Sequence, residues 1–365
     1  MCNMHQINIQ KSEDFAERMI DMMNQGSLSL MTSIGHRTGL FDTMKDMEPS
    51  SSEKIASAAG LQERYVREWL GAMTVGSIVD AHVNGNNGKE VLYSLPAEHA
   101  AFLTRDAGAD NISVFAQYVP LLGSVEDKIV ESFHKGGGVP YSEFKRFHEI
   151  MAEDSGLTVV SSLVDEILPL IPGITKKLND GIEVLDAGCG RGNAVNLLAE
   201  KFPGSQFTGF DLSYQAIKYA QLKAKDSNTE NVNFEVRDLT TFDQDGPEIK
   251  YDFITAFDAI HDQAHPDRAL AGIYKSLKKD GVFLMQDIAG SSNVTENSQH
   301  PIGPFLYTIS TMHCMPVSLA QNGMGLGAMW GREKALEMLQ NAGFKNIEIK
   351  SLEHDFQNYY YIARK

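Results

Sequence analysis

The chain has 365 residues, 42% of them hydrophobic and 22% charged, which exceeds one average domain and has the composition of an ordinary globular protein. Its formal net charge of -16 repels phosphate backbones and anionic membrane surfaces, and no local basic patch offsets it, so neither nucleic acid nor membrane is an expected partner. Three widely separated cysteines, Cys2, Cys189 and Cys314, give neither a disulfide framework nor a zinc-ligand spacing, which fits a reducing cytoplasm and no metal.

The opening MCNMHQINIQKSEDF lacks the basic and apolar regions of a secretory signal. The most apolar long stretch, LTVVSSLVDEILPLIPGI, is interrupted by Asp165, Glu166 and Pro169, too polar and broken to span a bilayer. Residues 12–47 read as helices separated by short polar breaks. Ser50 and Glu53 then have capping-box spacing, and Gly60 separates two short amphipathic helices. The run IVDAHVNGNNGKEVLYSL follows, two strand-like segments around an Asn/Gly-rich turn. Helix, turn, helix and hairpin predict a winged helix in an amino-terminal, mostly helical domain of residues 1–104. A DNA-reading helix needs free cations, but Arg64 and Arg67 are opposed by Glu63 and Glu68. The winged helix is therefore expected to serve in a homodimer or as the wall of a pocket.

Residues 105–156 read as a connector. Gly136, Gly137, Gly138 and Pro140 in KGGGVPYSEF break any helix, and the segment is either a linker or a lid with Tyr141 as its substrate contact. Leu157, Val160, Leu163, Val164, Ile167 and Leu168 form a helical stripe that opens the final domain, 157–365.

From Gly181 strands and helices alternate, which predicts a Rossmann-like, doubly wound α/β sheet. The strands are IEVLDA, QFTGFDL, VNFEVRD, DFITAFD and GVFLMQDI; an insertion of about 290–330, a helix and an antiparallel pair, NIEIKSL and NYYYIARK, close the chain. In such sheets ligands sit at the carboxyl ends of the strands, and here those ends carry Asp186, Asp211, Asp238, and Phe257 with Asp258. Carboxylates recurring there are hard to explain as packing, because an unpaired charge near a core is costly.

The loop after the first of these strands has the pattern DxGxGxG, with Asp186, Gly188, Gly190 and Gly192. A dinucleotide fingerprint needs a glycine where Asn193 stands, and no Gly-Lys-Ser/Thr follows for a Walker loop. Glycines let the backbone approach a ligand, Asp186 suits an ammonium or its water, Asp211 suits a ribose diol, and Asp238 suits an adenine amino group. Together they describe an adenosine with a cationic amino-acid tail.

The ordered set VLDAGCGRGN, FTGFDLS, VRDL and LKKDGVFLMQD resembles the successive motifs of class I S-adenosylmethionine-dependent methyltransferases over residues 181–289. The segments SIGHRTGLFD, LPAEHAAFL, GGGVPYSEF and FDAIHD resemble a narrower group of these enzymes, from mycobacteria and animals, with an amino-terminal winged helix. The resemblance implies S-adenosylmethionine as cofactor. It implies the methionine part at Asp186 to Asn193, including Gly188 and Gly190, the ribose at Asp211, and the adenine over Leu212 and beside Asp238 and Leu239. It also implies that Phe257 and Asp258 lie near the sulfonium, with Cys189 a small filler.

Methyl transfer from a sulfonium is an in-line displacement, so alignment supplies much of the catalysis and a base is needed only for a protonated acceptor. His261 is either such a base or part of the pocket lining, and His313 is the second catalytic candidate. In the insertion, Tyr307, His313 and Trp330 are the expected contacts to a small-molecule acceptor. The competing readings are a winged-helix DNA-binding regulator with an α/β ligand sensor, and a nicotinamide oxidoreductase, against which Asn193 weighs.

Overall fold

The computed structural model describes residues 7–83 and 90–365. They divide into two compact units, one ending at Pro120 and the other spanning Leu121–Lys365.

The first unit opens on one continuous helix, Ile9–Thr38, where the sequence suggests several. The polar break Asn24–Ser27 is exposed, and Gly26 meets no neighbour, so nothing there interrupts the backbone bonding. The helix ends at Gly39, whose φ of 72° lets its N–H reach back to the carbonyls of Gly35 and His36. Helices Ser52–Ala59 and Glu63–Val75 follow, parted by Gly60 at φ 66°. Strands β1 (Asp80–Val83) and β2 (Val91–Ser94) then pair antiparallel, as the winged-helix pattern requires. The Asn/Gly-rich turn expected between them lies outside the described residues. The capping residue is Ser51 rather than Ser50; Ser50 instead exchanges two backbone hydrogen bonds with Tyr93 of β2, at 3.0 and 2.8 Å. Leu40, Phe41, Ile55, Val66, Trp69 and Leu70 form the core of this unit. On Glu63–Val75, Arg67 pairs with Glu63 at 3.2 Å and Arg64 with Glu68 at 2.5 Å, so the cations of this helix are already neutralised.

The second unit is built on a seven-stranded sheet: β3 (Glu183–Ala187), β4 (Gln206–Asp211), β5 (Val232–Val236), β6 (Tyr251–Phe257), β7 (Leu277–Ile288), β8 (Asn346–Leu352) and β9 (Asp355–Arg364). Their order is β5-β4-β3-β6-β7-β9-β8. The first five strands pair parallel, and β9 pairs antiparallel with both β7 and β8. The period of two in each strand sends alternate residues into two cores. Val184, Phe253, Leu284 and Ile362 pack on one face with helices Asn193–Lys201 and Tyr214–Asp226. Leu185, Ile254, Phe283 and Tyr361 pack on the other with Pro266–Ser276 and Gly331–Ala342. Strands buried on both faces explain the near-continuous apolar runs.

The Leu157–Leu168 stripe is not one α-helix. Gly156–Val160 and Leu163–Ile167 are wide π-type turns separated at Ser161 and Ser162, and the chain tightens at Leu168–Leu170. Ser161 bonds back to the Leu157 carbonyl, competing with the regular ladder, and Pro169 restricts Leu168. The apolar periodicity still does its packing: Val159, Leu163, Ile167 and Leu168 are all buried. Among the described residues no helix is long and apolar enough to cross a membrane.

Candidate active site

The strand order reverses between β3 and β6, so the crevice of this sheet opens at their carboxyl ends. The glycine loop after β3 forms one lip. Its Gly188, Gly190 and Gly192 have φ of 86°, 53° and 68°, a left-handed run that favours glycine. The loop is tied to the end of β4: the N–H groups of Gly188 and Cys189 both donate to the Phe210 carbonyl, and that of Gly190 donates to Asp211 Oδ2 at 2.8 Å. A Cβ at Gly188 would sit 2.5 Å from that of Ala259, so glycine is what lets the loop after β3 meet the loop after β6.

A cavity of about 540 Å³ lies in this crevice. Gly188, Gly190, Asp211, Leu212, Asp238 and Leu239 line one part of it, with Phe257 and Asp258 beside them. A smaller recess of about 80 Å³ shares Gly188, Gly190 and Phe257 with the cavity and takes in Asp186 and Asn193. All ten residues expected at the cofactor thus line either the cavity or the recess that shares its glycines. Leu212 is half exposed with its side chain on the cavity, an uncovered apolar face in a polar setting.

The carboxylates are poised differently. Asp211 accepts from Gly190 N and Ser213 N, both at 2.8 Å, which uses two of roughly four acceptor positions and leaves the others free. Burial raises its pKa, against the pull of those bonds and of His148. Asp186 accepts from the Thr255 hydroxyl at 2.8 Å, and burial pushes its carboxyl up to about 7. Asp258 has a φ of 46°, accepts from Gln286 Nε2 at 3.0 Å and leaves Oδ1 without a partner; burial and then Asp287 hold its carboxyl well above the usual range. Asp238 is exposed and caps the next turn through Thr240 N. A buried carboxyl kept from ionising in this way is a group that a cationic ligand stabilises.

A further wall comes from the segment expected to be a linker or a lid with Tyr141 as its substrate contact. Tyr141, Phe144, Phe147, His148 and Met151 line the cavity from the turn Tyr141–Glu143 and the helix Phe147–Ser155. Their rings form a packed set: Tyr141 stacks on His148 at 5.1 Å and meets Phe147 edge-on at 5.3 Å. The i, i+3, i+4 spacing of Phe144, Phe147, Ile150 and Met151 is the signal that sequence reading passed over. Asp262, Gln263, Val317 and Gln321 also line the cavity.

Four expected side chains do not line the cavity. His261 is buried behind Asp262: its Nδ1 bonds Asp287 Oδ1 at 2.8 Å, and its Nε2 lies 3.3 Å from Asp262 Oδ1. Although burial opposes it, Asp287 and Asp262 hold its pKa well above the ordinary histidine value, so it is a poor proton acceptor. His313 is fully buried, stacked on Phe147 at 3.7 Å, and burial lowers its pKa to about 4. Trp330 donates from Nε1 to Asp287 Oδ1 at 3.0 Å, in the core, and Tyr307 accepts at its hydroxyl from Asn297 at 2.9 Å. His261 and Trp330 are held by Asp287 and Tyr307 by Asn297, whereas His313 has ring contacts alone. Only Val317 and Gln321 of the insertion reach the cavity.

Comparison with known proteins fits this architecture. Residues 26–105 match the Rv2258c-like winged HTH domain and residues 178–343 a methyltransferase domain. Among curated proteins, the chain is 31% identical over 112 residues to (S)-coclaurine N-methyltransferase of Papaver somniferum, 31% of each chain. It is 26% identical over 147 residues to ubiquinone biosynthesis O-methyltransferase of Paracidovorax citrulli, 40% of this chain and 54% of that one. The chain therefore spans about a third to a half of the length of these relatives. Among solved structures, human N-acetylserotonin methyltransferase in complex with SAM has a TM-score of 0.64 at 16% identity, over 100% of this chain and 99% of that one. A putative O-methyltransferase from Nostoc punctiforme has a TM-score of 0.70 at 17% identity, over 96% and 98%.

Proposed function

Because the chain belongs to the S-adenosylmethionine-dependent methyltransferases, with an Rv2258c-like winged HTH domain ahead of its methyltransferase domain, we propose that it methylates a small-molecule acceptor held in the 540 Å³ cavity. The observation that carries this reading is that Asp211, Asp258 and the glycine loop line one cavity with an aromatic wall, and Asp186 lines a recess sharing that loop. When bound, S-adenosylmethionine supplies an electrophilic methyl group for in-line displacement. Asp211 holds the ribose, Leu212 and Leu239 flank the adenine, Asp238 accepts from its amino group, and Asp186 with Gly188, Gly190 and Asn193 holds the amino-acid tail. Phe257 and Asp258 stand beside the sulfonium. Tyr141, Phe144, Phe147 and His148 exclude water from the acceptor and orient it by ring contact, with Asp262 as its polar contact. A homodimer through the amino-terminal domain belongs to this reading, supported by the exposed Ile9, Phe15, Ile20 and Met23 on the long first helix.

The pH dependence of cofactor binding tests it. An ammonium favours the ionised form of Asp186, whose carboxyl stands at about 7 in the free protein. Below that value the group must lose a proton before it pairs, so S-adenosylhomocysteine affinity falls with decreasing pH, by at most about tenfold per unit. Stability of the free protein runs the opposite way with pH: the folded chain keeps a proton that the unfolded chain has lost, so this group's contribution is present below about 4 and disappears as pH rises through about 7. Calorimetry between pH 5.5 and 8 is expected to show binding that tightens with pH, and Asp186→Asn to flatten the profile. Absence of S-adenosylhomocysteine binding, or equal binding of a nicotinamide dinucleotide, contradicts the reading.

A further inference from the structure

Beside the cavity lies a cluster of metal-ligating side chains, of which Asp262 alone also lines the cavity. A ring nitrogen of His261, a carboxylate oxygen of Asp262 and the Sγ of Cys314 lie within 4.8 Å of one another. His261 Nε2 and Asp262 Oδ1 are 3.3 Å apart. Zinc bonds of about 2.0–2.3 Å at tetrahedral angles place neighbouring ligand atoms roughly 3.3–3.6 Å apart, so this edge is already at its coordinated length. Cys314 and His261 are buried at 3% and 4% exposure, and Asp262 is partly buried.

Two further observations point to a missing ligand. His261 Nδ1 bonds Asp287 Oδ1, which also accepts from Trp330 Nε1 and Ile288 N. That is the carboxylate–histidine arrangement which orients a ligating imidazole, here with Nε2 directed at Asp262. Independently, His313 is 0% exposed with neither ring nitrogen hydrogen-bonded, and its Nδ1 lies 3.9 Å from Asp262 Oδ2; Asp262 Oδ1 also lacks a hydrogen-bond partner. Buried polar atoms are seldom left orphaned without a missing water or ion.

We propose that His261 Nε2, Asp262 and Cys314 Sγ hold a divalent cation of the zinc class, completed by a water that gives His313 its missing partner. On binding, the Cys314 thiol proton, and any second proton on His261, pass to solvent, leaving a thiolate and a neutral imidazole on the metal. His261 and Asp262 are adjacent but Cys314 is remote from them in sequence, which is why their spacing gives no zinc signature. The proposal shares Asp262 with the methyl-transfer reading, but zinc uptake is measured without methyl donor or acceptor, so the two fail separately.

The test is metal analysis of the purified full chain, followed by Zn2+ titration and Co2+ substitution, with Cys314→Ser and the near-isosteric Asp262→Asn. The expected result is about one equivalent of zinc per chain, a thiolate-to-cobalt charge-transfer band that Cys314→Ser abolishes, and zinc affinity reduced at least about tenfold in each variant. Circular dichroism and a cooperative melt establish that each variant is folded; if Cys314→Ser is not, Asp262→Asn decides. Failure of the wild-type chain to take up zinc overturns the proposal, as does uptake that a folded variant leaves unchanged.

Discussion

Asp211→Ala is expected to lower S-adenosylhomocysteine affinity by about 100-fold or more, measured by titration calorimetry. Two charge-assisted hydrogen bonds to a ribose diol are lost, each of about 1.5–3 kcal/mol, and every 1.4 kcal/mol is tenfold. The same carboxylate also fixes the glycine loop, through Gly190 N, and the turn after β4, through Ser213 N. Its removal thus takes away both a ligand contact and the preorganisation of the lip. Asp211→Asn separates the two: one oxygen remains to accept, but an amide N–H on the loop side faces the Gly190 N–H, and affinity is expected to fall between wild type and alanine. Unchanged affinity in the alanine variant removes Asp211 from the ribose site.

Gly192→Val is expected to destabilise the second unit by about 3 kcal/mol, the sum of roughly 1–2 kcal/mol for a left-handed β-branched residue and 1–3 kcal/mol for overpacking. Gly192 has a φ of 68°, and a Cβ there would lie 2.6 Å from the Phe234 ring and 2.7 Å from Ala220, both in the core. At about 2–4 °C per kcal/mol for a unit of this size, a melt should drop by roughly 6–12 °C. Gly190→Ala is the contrast: its φ is 53°, but a Cβ there meets nothing within 4 Å and points to open space beside the cavity. It should cost only about 1–2 kcal/mol of stability while weakening cofactor binding. Equal melting losses at the two positions would show that the clash at Gly192 is relieved by local adjustment.

What could be read from the sequence was whatever the strand period and the glycine loop dictate locally. Alternation of buried strands with amphipathic helices locates the sheet, and once the sheet is located, Asp186, Asp211, Asp238 and Asp258 must fall at its carboxyl edge. Side-chain direction in irregular chain follows no period. Tyr307, His313 and Trp330 are rich in chemistry, yet in the insertion each turns inward to an aromatic ring, to Asn297 or to Asp287. His261 follows the strand end as expected, but Asp287, a residue of β7, draws its ring away from the cavity. The aromatic wall at Phe144, Phe147 and His148 is less legible because the glycines at 136–138 and Pro140 mark irregular chain just ahead of a helix of only nine residues, Phe147–Ser155. The polar break at residues 24–27 was misread because an exposed helix has no need of apolar residues there.

The account turns on one space serving both methyl donor and acceptor, and a crystal structure of the chain with S-adenosylhomocysteine tests it most directly. It is expected to show the ribose hydroxyls bonded to Asp211, the adenine against Leu212 with its amino group at Asp238, the ammonium beside Asp186, and the sulfur facing the aromatic wall of Tyr141 and Phe147. A ligand bound elsewhere, or one in the cavity whose ribose lies beyond hydrogen-bonding reach of Asp211, would contradict it.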